Sequence, residues 1–242
     1  MASKEIIYKN NSYQLSYELV NPHKEDTILI LHGWGSNKEI MKQAFGKTLT
    51  MFKHIYLDLP GFGKSTNETV LRTEDYAQIV KLFLAELEVQ PKIIMGHSFG
   101  GKVSALLNPP CLVLLSASGI LVPKPWNIRM KIALFKLLKP LGIQKVRQLF
   151  VSDDAKGMSP AMYETFKNVV NEDFETDFMK VQSRTLLFWG KDDTATPLWT
   201  AQKINAVIPE SLLYPLEGDH FFFLKHGTFI TDMMQIQCKE IN

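Results

Sequence analysis

Met95-Gly96-His97-Ser98-Phe99-Gly100-Gly101 follows a short apolar run, Lys92 to Met95, and precedes a helical stretch, Lys102 to Leu107. That order predicts a strand, a sharp turn and a helix, with the Ser98 hydroxyl pushed out above the end of a sheet. Gly96 and Gly100 have a mechanical reason. In so tight a turn, side chains two residues either side of the serine would collide, and Gly has no Cβ. The new helix aims its free N–H groups and positive dipole end at the space beside the serine. Gly96-His97-Ser98-Phe99-Gly100 thus fits G-x-S-x-G, the pattern of a nucleophile elbow.

Upstream of this turn the chain opens on two alternating stretches, Glu5 to Lys9 and Tyr13 to Leu19, with Asn10-Asn11 between them. They predict a hairpin. Thr27 to Leu31 is a continuous β-rich run, as expected of a strand covered on both faces, and it ends in His32-Gly33-Trp34-Gly35-Ser36-Asn37. A helix is expected from Lys38 to about Met51. Strand His54 to Leu57 follows and leads into Asp58-Leu59-Pro60-Gly61-Phe62-Gly63-Lys64-Ser65. Thr73 is placed to cap the helix Glu74 to Leu87, whose residues Tyr76, Ile79, Val80, Phe83, Leu84 and Leu87 form one stripe. Downstream, Asn108-Pro109-Pro110 stops the short helix after the elbow, and Cys111 to Leu115 is the next buried strand.

After Ser116 the character changes. Between Gly119 and Ser152 there are seven basic residues and no acid: Lys124, Arg129, Lys131, Lys136, Lys139, Lys145 and Arg147. Trp126 and other apolar residues are interleaved with them. Asp153 to Asp177 carries seven acids. The segment reads as helices without a buried strand, so residues 119–182 are expected to be a helical insertion in a core made of 1–118 and 183–242. The rhythm resumes with strand Thr185 to Trp189, helix Leu198 to Val207, strand Leu212 to Tyr214 and a helix after about Leu224. Alternating strands and helices around apolar β runs predict a parallel sheet covered on both faces, with its chemistry at the carboxyl ends of the strands.

The 242 residues, 45% hydrophobic, suffice for a full α/β core. A net charge of +2 does not point to nucleic acid. Cys111 and Cys238 lie far apart in sequence and are expected to be reduced and buried. The N-terminal stretch lacks a leader pattern, and no window reaches membrane-span length without charges, so a cytoplasmic protein is expected.

A serine hydroxyl needs a base within hydrogen-bond reach, and the base needs an orienting acid. Of six histidines, only His220 and His226 follow Ser98. His226 falls at the start of the last helix, whereas His220 sits in the loop Gly218-Asp219-His220-Phe221, and His220 is the expected base. The acid is expected in Gly190-Lys191-Asp192-Asp193-Thr194-Ala195-Thr196-Pro197, where Asp192 and Asp193 compete, because Ser116-Ala117-Ser118 after the preceding strand carries no carboxylate. Two N–H donors are needed for a developing oxyanion: Phe99, next after the serine, and Trp34, in the loop after the first buried strand. Gly61-Phe62-Gly63-Lys64-Ser65 lacks the glycine spacing of a phosphate loop and is read as a turn bordering the site.

The His32, Asp58, Gly96, Gly190 and Gly218 stretches quoted above are all similar to the signatures of the α/β-hydrolase fold superfamily, and they occur in its order. The resemblance implies a mostly parallel eight-stranded sheet flanked by helices, with a helical cap (lid) inserted after strand 6. Its G-x-x-D-x-x-x-P pattern falls on Gly190, Asp193 and Pro197, which selects Asp193 over Asp192. It also implies Ser98, Asp193 and His220 as the catalytic set. Within the superfamily the motifs resemble small-ester carboxylesterases, such as the pimeloyl-ester carboxylesterase of biotin synthesis, and the carbon–carbon hydrolases of aromatic-ring catabolism. Two departures stand out: Ser36-Asn37-Lys38 where the loop usually continues Gly-Pro-Gly, and Phe221 where Trp often follows the histidine. Dehalogenases and epoxide hydrolases need Asp where Ser98 stands. The chain departs from the whole family in reaching Cys111 only ten positions after Gly101, which makes the elbow helix short.

The expected activity is cleavage of a small acyl ester or thioester through an acyl-enzyme on Ser98, with no metal or organic cofactor. A carbon–carbon hydrolase and a non-catalytic binding protein on the same fold are the alternatives. Trp34, Phe99, Trp126 and Phe221 are expected to line the substrate pocket. The basic run suits an anionic or carrier-linked substrate. Neither nucleic-acid binding nor stable membrane insertion is expected.

Overall fold

Lys9 and Asn10 both take left-handed φ values, 48° and 61°, and this pair turns the chain between β1 (Ala2–Tyr8) and β2 (Asn11–Val20). The structure is a computed structural model and describes residues 2–123 and 158–238. The remaining strands are β3 (Thr27–Leu31), β4 (Lys53–Leu57), β5 (Ile93–His97), β6 (Cys111–Leu115), β7 (Arg184–Gly190) and β8 (Ser211–Leu216). They form one eight-stranded sheet in the order β1-β2-β4-β3-β5-β6-β7-β8. β1 and β2 join it antiparallel, and every pairing from β4 to β8 is parallel.

The helices are α1 (Lys38–Phe45), α2 (Thr73–Glu86), α3 (Phe99–Leu107), α4 (Pro160–Val170), α5 (Glu175–Phe178), α6 (Leu198–Val207) and α7 (Phe223–Gln237). β3, β5 and β6 are buried at every position because helices cover both faces of the sheet. Alternate residues serve opposite faces. Leu29, Leu31, Ile55 and Leu57 pack with Tyr76, Ile79, Val80 and Phe83 of α2 and with Phe99 and Val103 of α3. Ile28, Ile30 and Tyr56 pack with Met41 and Phe45 of α1 and with Phe223, Ile230 and Met234 of α7. A third cluster sets Leu112, Leu114, Leu187 and Trp189 against Ala201 and Ile204 of α6. Each large apolar side chain so buried contributes about 1.5–3 kcal/mol.

Strand order reverses at β3, whose neighbours are β4 on one side and β5 on the other. The loops leaving β3 and β5 therefore diverge and open a crevice at the carboxyl edge of the sheet. Those loops carry the His32–Gly35 stretch and the elbow.

Four local expectations are corrected. Helix α1 ends at Phe45, not near Met51: Gly46 caps it and Leu49 turns left-handed at φ 50°. Thr73 is the first residue of α2 rather than its cap. The Arg72 N–H is held by the Asp75 carboxylate at 2.8 Å, and the Thr73 hydroxyl goes to Glu172 instead. His226 is not the start of the last helix; α7 begins at Phe223 and His226 forms a kink inside it. Cys111 and Cys238 are not separate thiols but a disulfide, with Cα atoms 6.3 Å apart. A helix that follows a strand returns antiparallel to it, so α7 ends over the amino edge of the sheet, where β6 begins. No helix among the described residues is long and apolar enough to cross a membrane.

Candidate active site

Ser98 sits between β5 and α3 with φ 49° and ψ −115°. A non-glycine residue held there stores about 1–3 kcal/mol of strain. The surroundings over-determine it. Ser98 N–H donates to Leu115 O at 3.0 Å, and Ser98 O accepts from Gly101 N–H and Ser118 N–H. A Cβ on Gly96 would lie 2.3 Å from Gly100 O, and a Cβ on Gly100 would lie 2.5 Å from His32 O. Glycine at these two positions lets α3 start tight against both β5 and the loop after β3. The elbow helix is short but firmly seated: residues Phe99 to Ala105 are all buried, and Asn108 closes it in a left-handed conformation.

The loop after β7 carries Asp192 and Asp193. Asp192 is exposed, and Asp193 is buried. Asp193 Oδ2 accepts from His220 Nδ1 at 2.7 Å and from the Thr196 hydroxyl at 2.9 Å. Its Oδ1 accepts from the N–H groups of Ala195 and Thr196, each at 2.9 Å. Burial alone would raise this carboxyl, but the His220 hydrogen bond and charge, with the Thr196 N–H, pull it down to about 2. The carboxylate therefore fixes His220 with its proton on Nδ1, which leaves Nε2 unprotonated in the neutral ring.

His220 stands beside the elbow. Its ring centroid is 4.6 Å from that of His97, and the His220 carbonyl accepts from His97 Nε2–H at 3.0 Å. No hydrogen bond joins the half-exposed Ser98 hydroxyl to the imidazole in this structure. His226 points elsewhere, donating from Nε2 to Glu217 O at 2.8 Å.

In the loop after β3, His32 accepts from Leu59 N–H on Nε2 at 3.0 Å, so its proton is on Nδ1 and donates to Gly33 O at 2.7 Å. Ser36 N–H holds the same carbonyl. In a trans peptide the C=O and the next N–H point opposite ways. Pinning Gly33 O on the His32 side thus turns Trp34 N–H to the other side. Complete burial pushes His32 down to about 4, which keeps the ring neutral and the tautomer fixed. Neither Trp34 N–H nor Phe99 N–H is taken by an acceptor among the described residues.

The surroundings of these donors are aromatic. Trp34 packs on Phe62, Phe99 and Phe166, with centroids 4.8, 5.5 and 5.4 Å away. Phe221 is 39% exposed and lies 5.3 Å from the His97 ring. Trp126 and the seven basic residues lie outside the described residues. The Asp58 loop is a structural turn. Asp58 accepts from Lys38 Nζ at 2.6 Å, from Lys38 N–H at 2.8 Å and from Lys64 N–H at 3.0 Å, so it ties α1 to its own loop. Three supporting residues escaped the reading of the sequence: His32, His97 and Thr196. Only Thr196 had a signal, a hydroxyl three positions after the acid in a turn.

A mostly parallel sheet with a strand–serine–helix elbow at its switch point, and a His–Asp pair in the loops after its last two strands, defines a class of α/β enzymes. The chain belongs to the alpha/beta hydrolase family, whose model matches residues 28–231. It is similar to an uncharacterized hydrolase of Bacillus subtilis, 29% identical over 85% of this chain and 86% of that protein. It is also similar to a pimeloyl-[acyl-carrier protein] methyl ester esterase of Proteus mirabilis, 24% identical over 89% and 93%. Among solved structures, an esterase from Exiguobacterium antarcticum superposes with a TM-score of 0.76 at 20% identity, covering 99% of this chain and 100% of that one. The protein is an enzyme of the hydrolase class built on this fold.

Proposed function

We propose that this hydrolase cleaves a small acyl ester or thioester through an acyl-enzyme on Ser98. His220 takes the Ser98 proton through Nε2 as the hydroxyl attacks the carbonyl and returns it to the leaving group. Asp193 keeps the tautomer and faces the imidazolium that forms. Trp34 N–H and Phe99 N–H receive the oxyanion. Water then attacks the acyl-enzyme with His220 as base, and Ser98 is regenerated. The observation that carries this reading is the 2.7 Å bond between His220 Nδ1 and Asp193 Oδ2, in a loop bonded to the elbow residue next to Ser98.

Residues 119–182 are proposed as the lid, with Phe166 of α4 on the Trp34 indole as its inner wall. Trp34, Phe99, Trp126 and Phe221 would line the acyl pocket. The described aromatic wall suits an apolar acyl group. A carrier-linked or anionic substrate is in keeping with the Proteus mirabilis relative and with the basic residues 124–147.

A fluorophosphonate probe and a series of p-nitrophenyl esters of increasing acyl length test the reading. Wild-type protein is expected to be labelled at Ser98 and to turn over short esters. Ser98→Ala is expected to lose labelling and about 10⁴-fold or more in kcat. Folded wild-type protein that neither labels nor turns over any ester would reject the proposal.

A further inference from the structure

His97 is buried, neutral and in contact with three parts of the proposed machinery. Its Nε2–H donates to the His220 carbonyl at 3.0 Å. Its ring lies 4.6 Å from the His220 ring and 4.8 Å from Phe223, which opens α7. Its Nδ1 faces Gly33 so closely that a Cβ there would sit 2.9 Å away, with Ser98 Cβ only 3.0 Å from the same point. That Nδ1 is buried and has no hydrogen-bond partner. A buried acceptor left without a donor is costly, and a leucine or phenylalanine would fill the space without that cost. Burial also pushes His97 down to about 3, so the ring carries no charge beside His220.

We propose that His97 is a positioning residue: a neutral wedge between the loop after β3 and the His220 loop that sets the distance from the base to Ser98 by holding the His220 carbonyl. The inference rests on the reading of Ser98 as nucleophile and His220 as base. It explains why a polar ring with one orphaned nitrogen occupies a fully buried slot. The donor on Nε2 has a task, and the bare Nδ1 follows from the tautomer that task requires. It also explains the need for Gly33, since any side chain there would push the ring off the carbonyl. The position next to Ser98 makes the arrangement direct. Where the elbow goes, the His220 backbone goes with it.

The test compares H97Q with H97N. The Gln amide nitrogen matches Nε2 in reach, whereas the Asn nitrogen matches Nδ1 and falls short of the carbonyl. Three readouts are taken together with the melting temperature: the rate of fluorophosphonate labelling, kcat and KM on a p-nitrophenyl ester, and the downfield proton resonance of the His220–Asp193 pair. H97Q is expected to keep labelling within about threefold and to keep the resonance. H97N is expected to lose about 10²-fold in kcat and labelling with KM little changed, the cost of a displacement of about 1 Å at a reacting group. Equal activity of H97N and wild type, or an equal loss in H97Q and H97N at matched melting temperatures, overturns the inference. Should H97N fail to fold, H97Q decides alone: retained rate and resonance support the clamp, and a loss beyond tenfold overturns it. Wild-type protein that never labels instead overturns the nucleophile–base reading itself, a result seen before any variant is made.

Discussion

Asp193 and Asp192 are adjacent, identical in chemistry and opposite in circumstance. One carboxylate is buried under four donors, and its neighbour faces solvent. The consequence can be read in Asp193→Asn. Asn can keep one oxygen for the N–H groups of Ala195 and Thr196, so the loop is expected to hold. Its amide then faces His220 Nδ1 with protons where a lone pair was, and the imidazole is driven to the other tautomer. Under the proposed mechanism kcat falls by about 10⁴-fold with KM little changed. Asp192→Asn is expected to leave both within about twofold of wild type, since exposed substitutions away from a site do little. Steady-state kinetics on the two variants separates them, and equal losses would reject the assignment. The pattern of the motif pointed to Asp193, and a hydroxyl three positions on was the one trace of Thr196, but nothing in the sequence announced His32 as the ring that holds Gly33 O. Their parts depend on where a hydroxyl and a ring nitrogen end up, which the chain order does not reveal.

Helix α3 is held to the end of α4 and the segment after it by an ion pair whose lysine is buried. Lys102 Nζ donates to Glu172 Oε2 at 2.6 Å and to Val169 O at 2.7 Å, with the rings of Phe99 and Phe174 5.7 and 5.4 Å away. Burial lowers Lys102 from its ordinary range, and Glu172 offsets part of that. Glu172→Gln keeps an amide oxygen near the buried ammonium but removes its counter-charge, and is expected to cost about 2 kcal/mol in a urea melt. Adding Lys102→Met removes the stranded charge, and the double variant is expected to recover at least half of the loss. A double variant no more stable than Glu172→Gln would show that the pair does not act as a unit. At this scale the buried strands were legible, because a short β-branched apolar run such as Thr27 to Leu31, bounded by polar and glycine-rich stretches, suits a strand covered on both faces. Helix ends were less so. Residues 46–51 continue the amphipathic pattern of α1, yet Gly46 and the left-handed Leu49 break it. Thr73 looked like a cap because Thr so often is one, but the hydroxyl found a better acceptor in Glu172, 99 positions away.

Over the whole molecule, the buried histidines set how stability responds to acid. His32 is held at about 4, His97 at about 3, and burial lowers His54 as well, all from an ordinary 6.5. In each case the unfolded chain takes up a proton at a pH where the folded chain refuses it. Stability is therefore full above about pH 6.5 and falls as pH drops toward 4, by up to about 1.4 kcal/mol per pH unit for each histidine. Asp193, held at about 2 against an ordinary 3.8, adds a loss of the same sign below that window. Urea melts are expected to show lower stability at about pH 5 than at pH 7, with a shallower slope in H97Q. A flat profile across that interval would contradict neutral burial of these rings. The disulfide between Cys111 and Cys238 belongs to this scale too, since 127 residues separate the pair and only the return of α7 across the sheet joins them. The chain alone made legible the parallel sheet, the serine turn and the loops that carry Asp193 and His220. Apolar periodicity and glycine spacing are local properties, and they act wherever the chain is read. The meeting of His32 with Leu59 N–H, of His97 with the His220 carbonyl and of Cys111 with Cys238 came only with the folded chain. Each is a matter of ångströms between groups that the chain keeps tens of residues apart.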